Sequence, residues 1–451
     1  MDAPTSYETR PPWDDGSIAE PPTLPRRTDV VVVGGGVMGA AAAYELALRG
    51  VSVVLLEMGR IGGEQSGRNW GWIRQAARDE DELPLMQASV RRWAELSTEL
   101  SDDFEWTQKG NLAIARDPAR IAFFEAWLKV AKAAGLESRI VDERETKRLL
   151  PELAGSWLGA LHTPSDAHAE PWLATRAIGA GAAARGAIVA EGTVVDGILV
   201  DRGRVTGVTT ERGVIHASTV VCAAGVWTAP LLYGVGVDLP IRIVRSTAAR
   251  TKPVAPLSEM GVGYHPVVSF RQRPNGALYV AAGGWSDYDV TLDSFRHLRA
   301  FLPNYIKNRR LLKVHVGRPL LEDVGRRARR RDLAWRLRQG RVLSPALSAE
   351  KVRMSVAKFR EIFPSVPIEV DRAWAGYTDA TPDAVPVIDA VASPGGLVIA
   401  AGFSGHGFGM GAIVGKLLAE QIVDGRPSHD LHPFRLGRFA DGTFRRPRLV
   451  A

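Results

Sequence analysis

The feature that most constrains this chain is a group of three glycines, Gly34, Gly36 and Gly39, placed between two apolar segments. The first segment, VVVV, is the continuous β-branched run of a buried parallel strand. The glycines lead into AAAAYELALRG, which predicts a helix that ends at Gly50. The next segment, VSVVLLE, predicts a second buried strand that ends at Glu57. This order predicts a βαβ unit built around G-x-G-x-x-G, a pattern typical of dinucleotide binding.

Each of these positions has a physical role in that interpretation. Gly34 permits the tight turn after the strand, Gly36 lets backbone N–H groups approach a pyrophosphate, and Gly39 lets helix and strand pack closely. The start of the helix faces the anion. Glu57 lies 18 residues after Gly39, near the spacing of about 20 expected for a ribose-binding acid. It would repel a 2′-phosphate, which argues against NADP and leaves FAD and NAD open.

Cysteine content and hydropathy exclude several classes of protein. The single cysteine, Cys222, excludes an intramolecular disulfide and a cysteine-based metal site, and we expect no metal. No apolar run is long enough to span a bilayer. The proline-rich, acidic N-terminus lacks the order of a secretory signal. We therefore expect a cytoplasmic protein without a membrane span.

The net charge of +7 has one source. Residues 296–341 contain fifteen Lys or Arg and three Asp or Glu, so the remainder of the chain is acidic. The segment can bind nucleic acid or another anionic surface. Its core, GRRARRRDLAWRLRQGR, also interleaves Leu333, Trp335 and Leu337, which predicts an amphipathic helix with a solvated face or a subunit contact. We favour the second interpretation: a basic insertion through which a homo-oligomer can form, and no nucleic-acid partner.

Four further segments carry a resemblance to a known family: GGEQSGRNWGW from Gly62, AAGVW from Ala223, TPD from Thr381 and GFSGHGFG from Gly402. With the glycine motif and Glu57, they resemble the D-amino-acid oxidase and sarcosine oxidase superfamily of FAD-dependent amine oxidoreductases, which includes glycine oxidase and D-amino-acid dehydrogenase. The last segment also leads into a helix and offers a second anion site. Such a site suits the negative charge that a reduced flavin carries near N1 and the C2 carbonyl. An NAD enzyme does not need it, so FAD is the expected cofactor.

The resemblance implies an α/β fold. We expect a Rossmann-like FAD-binding domain with a parallel sheet, and an α+β substrate domain built on an antiparallel sheet. The FAD-binding domain is predicted to be discontinuous, over 26–106, 166–236 and 375–430. The substrate domain is predicted over 107–165 and 237–374, with the basic helical insertion at about 296–341. Residues 1–25 and 431–451 are predicted to form tails, the first of them flexible.

The resemblance also implies how FAD is held. The covalent flavin cysteine of sarcosine oxidases corresponds to Gly376 here, so we expect a non-covalent cofactor. The segment at Val194 and Val195 is expected on the adenine side. The predicted FAD contacts are Gly34, Gly36, Val37, Met38, Gly39, Glu57, Met58, Arg60, Ser66, Arg68, Asn69, Trp70, Val194, Val195, Ala224, Gly225, Trp227, Gly402, Gly405, His406, Gly407 and Phe408.

Amine oxidation requires a C–H bond held over the flavin and, for an amino acid, a cation that binds its carboxylate. Arg74 in NWGWIRQ is the first candidate, with a structural salt bridge as the alternative, and Arg271 in VVSFRQR is the second. Tyr377 is expected to bind a carboxylate or to belong to the core. His406 is expected to contact the flavin through its backbone, and a role as general base is less favoured.

The predicted reaction is hydride transfer from the CH–NH bond of an amino acid or a secondary amine to flavin N5, which gives an imine. Either O2 or a redox partner accepts the electrons, because no lysine near 283–292 matches the oxygen-activating lysine of relatives. Gly409 replaces a substrate-binding lysine of sarcosine oxidases, which argues against sarcosine. Trp70 and Trp72 offer an aromatic face for an amine. The alternative function is a dinucleotide-fold protein that binds RNA or another macromolecule through its arginine-rich segment, with a structural flavin.

Overall fold

The computed structural model describes residues 7–14, 17–18, 20–264, 267–328, 333, 337 and 340–445. The strands are β1 (Val30–Val33), β2 (Val53–Leu56), β3 (Trp72–Ile73), β4 (Asn111–Ala115), β5 (Arg139–Val141), β6 (Gly159–Thr163), β7 (Ala167–His168), β8 (Ile188–Ala190), β9 (Val195–Asp201), β10 (Arg204–Thr210), β11 (Gly213–His216), β12 (Thr219–Cys222), β13 (Arg242–Thr251), β14 (Gly261–Tyr264), β15 (Val268–Gln272), β16 (Leu278–Ala281), β17 (Ser286–Asp289), β18 (Leu312–His315), β19 (Val370–Ala380), β20 (Val387–Ala390) and β21 (Leu397–Ala401). The helices are α1 (Val37–Leu48), α2 (Gln65–Arg68), α3 (Leu83–Glu99), α4 (Pro118–Ala133), α5 (Glu143–Leu149), α6 (Pro171–Ala184), α7 (Thr228–Tyr233), α8 (Leu298–Asn308), α9 (Arg318–Ala328), α10 (Ala349–Ile362) and α11 (Gly407–Val423). Short 3-10 helices cover Gly225–Trp227, Leu292–Phe295, His432–Phe434 and Leu436–Phe439.

The sheet predicted around the glycine motif has six strands in the order β20-β21-β12-β1-β2-β8. β1 lies parallel to β2 and β12, so that Val33 stands level with Leu56 and Cys222. β20 joins the edge of the sheet in the antiparallel sense. The strands β1, β2 and β21 are buried along their whole length, which explains their uninterrupted apolar sequences.

Helices α1 and α11 pack closely because glycines of α11 face α1. A Cβ atom on Gly411 would overlap Val37, and one on Gly415 would overlap Ala41. α1 follows β1 and α11 follows β21, and these strands belong to the same parallel array. Both helices therefore begin at the carboxyl edge of the sheet, where ligands bind in open α/β folds.

The second large sheet has ten strands and is mostly antiparallel. β13 pairs with β19 along its whole length. β15 and β16 form a hairpin, and Pro274, Asn275 and Gly276 lie in its turn. Phe270 of β15 packs against Phe359 and Phe363 of α10, with ring centroids 5.4 and 5.2 Å apart. A parallel and an antiparallel sheet in one α/β chain confirm the predicted fold class.

The predicted domain division stays a proposal, and the structure differs from it in two details. β19 is a continuous strand of the ten-stranded sheet, so residues 375–380 do not belong to the parallel sheet. In the segment expected to be a flexible N-terminal tail, Trp13 is 7% exposed and stacks on Trp172 with centroids 5.9 Å apart. In the expected C-terminal tail, Phe434 is fully buried. Within the described residues of these two segments, Trp13 and Phe434 each fill an apolar site.

The basic segment is described only in part. β18 adds an edge strand to the ten-stranded sheet, and α8 and α9 flank it. Much of the arginine-rich core, including Trp335, lies outside the described residues. α8 exposes Leu298, Leu302 and Ile306, which recur every four residues. The predicted subunit contact stays a prediction. Within the described residues, no helix combines the length and the apolar character needed to cross a bilayer.

Candidate active site

A cavity of about 480 Å³ lies where the carboxyl edge of the six-stranded sheet meets the ten-stranded sheet. Val33 and Leu56, at the ends of β1 and β2, belong to its wall, and so do Val244 of β13 and Tyr377 of β19. The volume falls within the range of about 300–1,000 Å³ typical of ligand and cofactor sites. The position is the crevice in which doubly wound folds bind nucleotides.

The three glycines of the motif are required for different reasons. Gly34 has φ 103°, and a Cβ atom there would overlap the backbone at Ala223, while one on Gly39 would overlap the Gly34 carbonyl. Gly36 has an ordinary extended backbone, with φ −69° and ψ 175°. A Cβ atom on Gly36 would meet only Ser66 Oγ, at 3.1 Å. The chain itself therefore needs Gly34 and Gly39, whereas the space at Gly36 suits a group bound in the cavity.

Two helices begin at this cavity without a side-chain cap. α1 starts after Gly36 and α11 starts after His406. The first turns of both helices line the cavity, through Val37 and Gly407 among others. Val37 N–H donates to Ser66 Oγ at 2.8 Å. Uncapped helix starts present positive partial charge and N–H donors. The start of α1 therefore suits a pyrophosphate, and the start of α11 suits an anionic ring.

Glu57 lines the cavity at the end of β2. Its carboxylate accepts hydrogen bonds from Gly35 N–H at 2.6 Å and Gly59 N–H at 2.7 Å. Burial raises the pKa of Glu57 to about 7, against the opposing effect of these two hydrogen bonds. The oxygens keep further acceptor sites, so the geometry suits a donor such as a ribose hydroxyl.

Asp379 fixes the loop that precedes α11. This buried residue of β19 accepts from Gly402 N–H at 2.7 Å and from Gln65 Nε2 at 2.8 Å. Burial raises the pKa of Asp379. The loop, β19 and α2 are thereby joined, and Gly405 and His406 are held at the cavity wall.

Three of the predicted FAD-contact residues do not line the cavity. Gly39 and Gly402 act through packing, because a Cβ atom on Gly402 would overlap Thr381 Cγ2. Val194 is fully buried, and its N–H donates to Glu211 Oε1 at 3.2 Å. For these three the predicted direct contact with FAD stays a prediction. The predicted residues that line the cavity are Gly34, Gly36, Val37, Met38, Glu57, Met58, Arg60, Ser66, Arg68, Asn69, Trp70, Val195, Ala224, Gly225, Trp227, Gly405, His406, Gly407 and Phe408.

Arg271 was predicted to bind the substrate carboxylate, and the structure does not place it at the cavity. The residue is fully buried in β15 and is not part of the cavity wall. Its Nε donates to the Trp70 carbonyl at 2.6 Å, and a terminal nitrogen donates to Glu170 Oε2 at 3.1 Å. Glu170 also accepts from Tyr279 Oη at 2.9 Å. The register of β15 turns Arg271 toward this acid, which compensates its buried charge.

Arg74 lines the cavity, as do the other two catalytic candidates. Its guanidinium lies 5.5 Å from the centre of the Trp72 ring, and its Nε is buried without a hydrogen-bond partner. Burial and the neighbouring Arg78 lower the pKa of Arg74 to about 9, against the opposing effect of Asp166. Such a group suits an anion supplied by a ligand, because a buried cation without a partner is costly.

The other two candidates differ in charge. His406 Nδ1 lies 3.4 Å from the carboxylate of Glu82, and burial followed by Arg78 lowers the pKa of the imidazole. His406 is therefore neutral near pH 7. Burial raises the pKa of the Tyr377 phenol, so this hydroxyl also stays neutral and can donate a hydrogen bond.

Several cavity residues were not predicted from the sequence. Arg78 follows Arg74 by four residues. The argument that made Arg74 a candidate for carboxylate binding could also have identified Arg78. Arg120 of α4 and Asn111 of β4 also line the wall. They come from the part of the chain that forms the ten-stranded sheet, and no local pattern in the sequence marks them. Trp70 and Trp72 do lie together, with ring centroids 5.6 Å apart.

The fold and the cavity define the class of protein: a dinucleotide-binding oxidoreductase fold with an antiparallel sheet over the ligand site. Within the described residues, no cluster of His, Cys, Asp and Glu suits a metal ion. Residues 29–421 match the family of FAD dependent oxidoreductases, and the chain belongs to that family. The predicted family is confirmed, and FAD is its cofactor. The space at Gly36 and the two uncapped helix starts fit this cofactor.

Similar proteins agree with this family. Human mitochondrial sarcosine dehydrogenase is 29% identical over 96% of this chain, which spans 44% of that protein, less than half of its length. Sarcosine oxidase subunit beta from an Arthrobacter species is 26% identical, over 92% of this chain and 91% of that one. The structure of L-amino acid deaminase from Proteus vulgaris superimposes with a TM-score of 0.86, at 24% identity, over 94% of this chain and all of that one, and shows the same fold. These relatives favour the oxidoreductase and not the RNA-binding alternative.

Proposed function

We propose that this protein oxidises the CH–NH bond of an amino acid or a secondary amine to an imine. The observation that carries the proposal is Arg74, whose Nε is buried and which has no ion-pair partner among the described residues. It lies in the cavity that both uncapped helix starts line. When bound, FAD supplies the two-electron acceptor for the substrate hydride. The chain binds the carboxylate and orients the C–H bond.

Three side chains divide this task. Arg74 binds the substrate carboxylate through a charge-assisted fork. Tyr377 donates a hydrogen bond from β19. His406 stays neutral because its pKa is lowered, so it adds no positive charge beside the amine, which has to be neutral when the C–H bond breaks. Trp70 and Trp72 exclude water from the site.

The names of the relatives support amines as the substrate class. Two of them name sarcosine, a secondary amine, and one names an L-amino acid. Gly409 lines the cavity where sarcosine oxidases have a lysine, so we do not propose sarcosine itself. The electron acceptor is either O2 or a redox partner.

The remaining expectations belong to the same proposal. The cavity residues named above contact FAD without a covalent bond, and the two large sheets correspond to an FAD-binding and a substrate domain. A homo-oligomer forms through α8, whose exposed apolar row is otherwise unexplained. The location proposed is the cytoplasm.

An anaerobic screen tests the proposed reaction. The protein is purified with FAD and mixed with primary and secondary amines and with amino acids of both configurations. Reduction of the flavin is followed by its absorbance at about 450 nm. Bleaching by at least one amine, faster than by its alcohol analogue, is the expected result. A flavin that no amine bleaches, in a protein that binds RNA with a strong salt dependence, would support the structural-flavin alternative instead.

A further inference from the structure

The cavity wall carries five arginines. Arg60 and Arg68 donate to backbone carbonyls, and of the other three the proposed function uses Arg74. Arg74 and Arg78 follow β3, and Arg120 belongs to the first turn of α4. Arg78 is 6% exposed, and its Nε donates to the Arg74 carbonyl at 3.1 Å. The Nε atoms of Arg74 and Arg120 are buried without a hydrogen-bond partner. Three cationic side chains from two segments thus converge on one cavity.

None of the three has an ion-pair partner. Among the described residues, no carboxylate oxygen lies within 4.0 Å of these three guanidinium groups. Outside the cavity, Arg92, Arg271 and Arg438 are as buried as Arg78, whereas Arg74 and Arg120 are half-buried. Arg92, Arg271 and Arg438 pair with carboxylates at 2.7, 3.1 and 2.8 Å. The fold therefore pairs these three buried arginines with acids, whereas Arg74, Arg78 and Arg120 have no acid within that distance among the described residues.

The acids nearby are engaged with other groups. Asp166 accepts from Gln75 N–H at 2.7 Å and Ala76 N–H at 3.3 Å, and burial raises its pKa to about 6. Glu82 lies against His406 at 3.4 Å. Burial is the largest cause that lowers the pKa of each of the three arginines. The helix dipole of α4 adds to the cost at Arg120, which sits at the positive end of that helix.

One carboxylate is too small to satisfy this set. A carboxylate offers about four acceptor sites, and each guanidinium carries five N–H donors. A bidentate bond from Arg74 uses half of one carboxylate's acceptor sites, and the remaining half is too few for the N–H donors of both Arg78 and Arg120. Asn111 Oδ1 is also buried in this wall without a partner, so an N–H donor of the ligand has an acceptor there.

We propose that the substrate is an amino dicarboxylate, with a second carboxylate bound by Arg78 and Arg120 in addition to the α-carboxylate bound by Arg74. That the bound dicarboxylate is a substrate depends on the proposed amine oxidation. The second carboxylate site depends only on the arginines. Its chemical class includes primary and N-substituted amino acids with an acidic side chain.

Binding of acids that cannot be oxidised tests the subsite without any turnover. Glutarate and valerate, and succinate and butyrate, are titrated into the FAD-containing protein by calorimetry and by flavin difference spectra. Each diacid should bind about ten- to a hundred-fold more tightly than the monoacid of equal carbon number, as expected for one additional charge-assisted contact. Equal affinities of diacid and monoacid would overturn the inference.

Variants locate the effect. Arg120→Gln should remove most of the preference for the diacid, and Arg120→Lys should restore part of it, because an ammonium keeps the charge and loses the fork. Arg116→Gln is the matched control, since Arg116 lies four residues earlier, packs over Trp157 and is not part of the cavity wall. A diacid preference that survives in Arg120→Gln and Arg78→Gln alike would assign it to another site and overturn the inference.

Flavin reduction separates this inference from the proposed function. Glutamate is compared with glutamine, and aspartate with asparagine, in both configurations and as N-methyl derivatives. The acids should reduce the flavin about ten- to a hundred-fold more efficiently than their amides. Reduction by amides as fast as by acids would overturn the dicarboxylate and leave amine oxidation intact. Preferred binding of diacids with no reduction by any amine would keep the subsite and refute amine oxidation.

Discussion

Gly36 is a glycine that cofactor binding requires and that folding of the chain does not require. Its backbone torsions are ordinary for any residue, and a Cβ atom would meet only Ser66 Oγ. Gly36→Val should therefore fold, with a melting temperature close to that of FAD-free wild type, and should bind no flavin because its side chain occupies the pyrophosphate position. Absorbance of the purified protein and thermal unfolding with and without FAD measure both effects.

Two controls accompany this variant. Gly437→Ala introduces a Cβ atom that has no neighbour within 4 Å, so it should keep full flavin content. Gly39→Ala should fail to fold, because its Cβ atom overlaps the Gly34 carbonyl inside the motif. Full flavin occupancy in folded Gly36→Val would remove the pyrophosphate from this position.

Arg74 carries the second prediction at this scale. A hydrogen bond to a charged group is worth about 1.5–3 kcal/mol, so Arg74→Ala should raise the Michaelis constant for an amino acid about ten- to a hundred-fold. Arg74→Lys should restore only part of the affinity, because an ammonium cannot form the bidentate fork. The comparison that decides is an amino acid against its decarboxylated amine. Wild type should prefer the amino acid, and Arg74→Ala should lose this preference while its flavin spectrum is unchanged. An undiminished preference in Arg74→Ala would place the carboxylate at a different cation.

At the scale of elements, the closeness of α1 and α11 sets the geometry of both anion sites. Gly415→Ala should destabilise the protein by about 1–3 kcal/mol, as overpacking does, because its Cβ atom overlaps Ala41. It should also weaken FAD binding, since α11 has to move and its first turn lines the cavity. Urea unfolding and FAD titration measure the two effects. Lys416→Ala, the next residue of the same helix, should change neither. A Gly415→Ala variant with wild-type stability would show that the two helices adapt without cost.

The elements also show what the sequence can predict. The βαβ unit and its glycines are local, since strand, turn and helix follow one another within thirty residues, and their hydrophobic patterns identify them. Arg271 looked equivalent to Arg74 because both lie between apolar residues. The choice between them depends on which face of β15 meets Glu170, a contact across 101 residues of sequence. Arg120 and Asn111 reach the cavity only through the packing of the ten-stranded sheet, and a pattern of neighbouring residues does not contain that information.

At the scale of the whole molecule, distant segments close around the cofactor cavity. Arg60 in the wall donates to the Trp13 carbonyl at 2.8 Å, and Arg341 donates to the Gly192 carbonyl at 2.7 Å. Leu343 N–H donates to Glu64. The N-terminal segment and the end of the basic insertion therefore contact the surroundings of one site, and these contacts join parts of the chain that the predicted division separates.

This enclosure bears on the last prediction, that FAD is held tightly and without a covalent bond. The only cysteine in the sequence, Cys222, is fully buried in β12 outside the cavity wall, and burial raises the pKa of its thiol to about 12. Gly376, which does line the cavity, has no side chain to form a bond. Contacts from three parts of the chain should keep FAD bound through gel filtration, whereas acid precipitation should release all of it into the supernatant. His406 is the remaining nucleophile to check, and His406→Gln should release its flavin in the same way as wild type. A yellow pellet from wild type and a colourless one from His406→Gln would identify a histidyl bond and contradict the prediction.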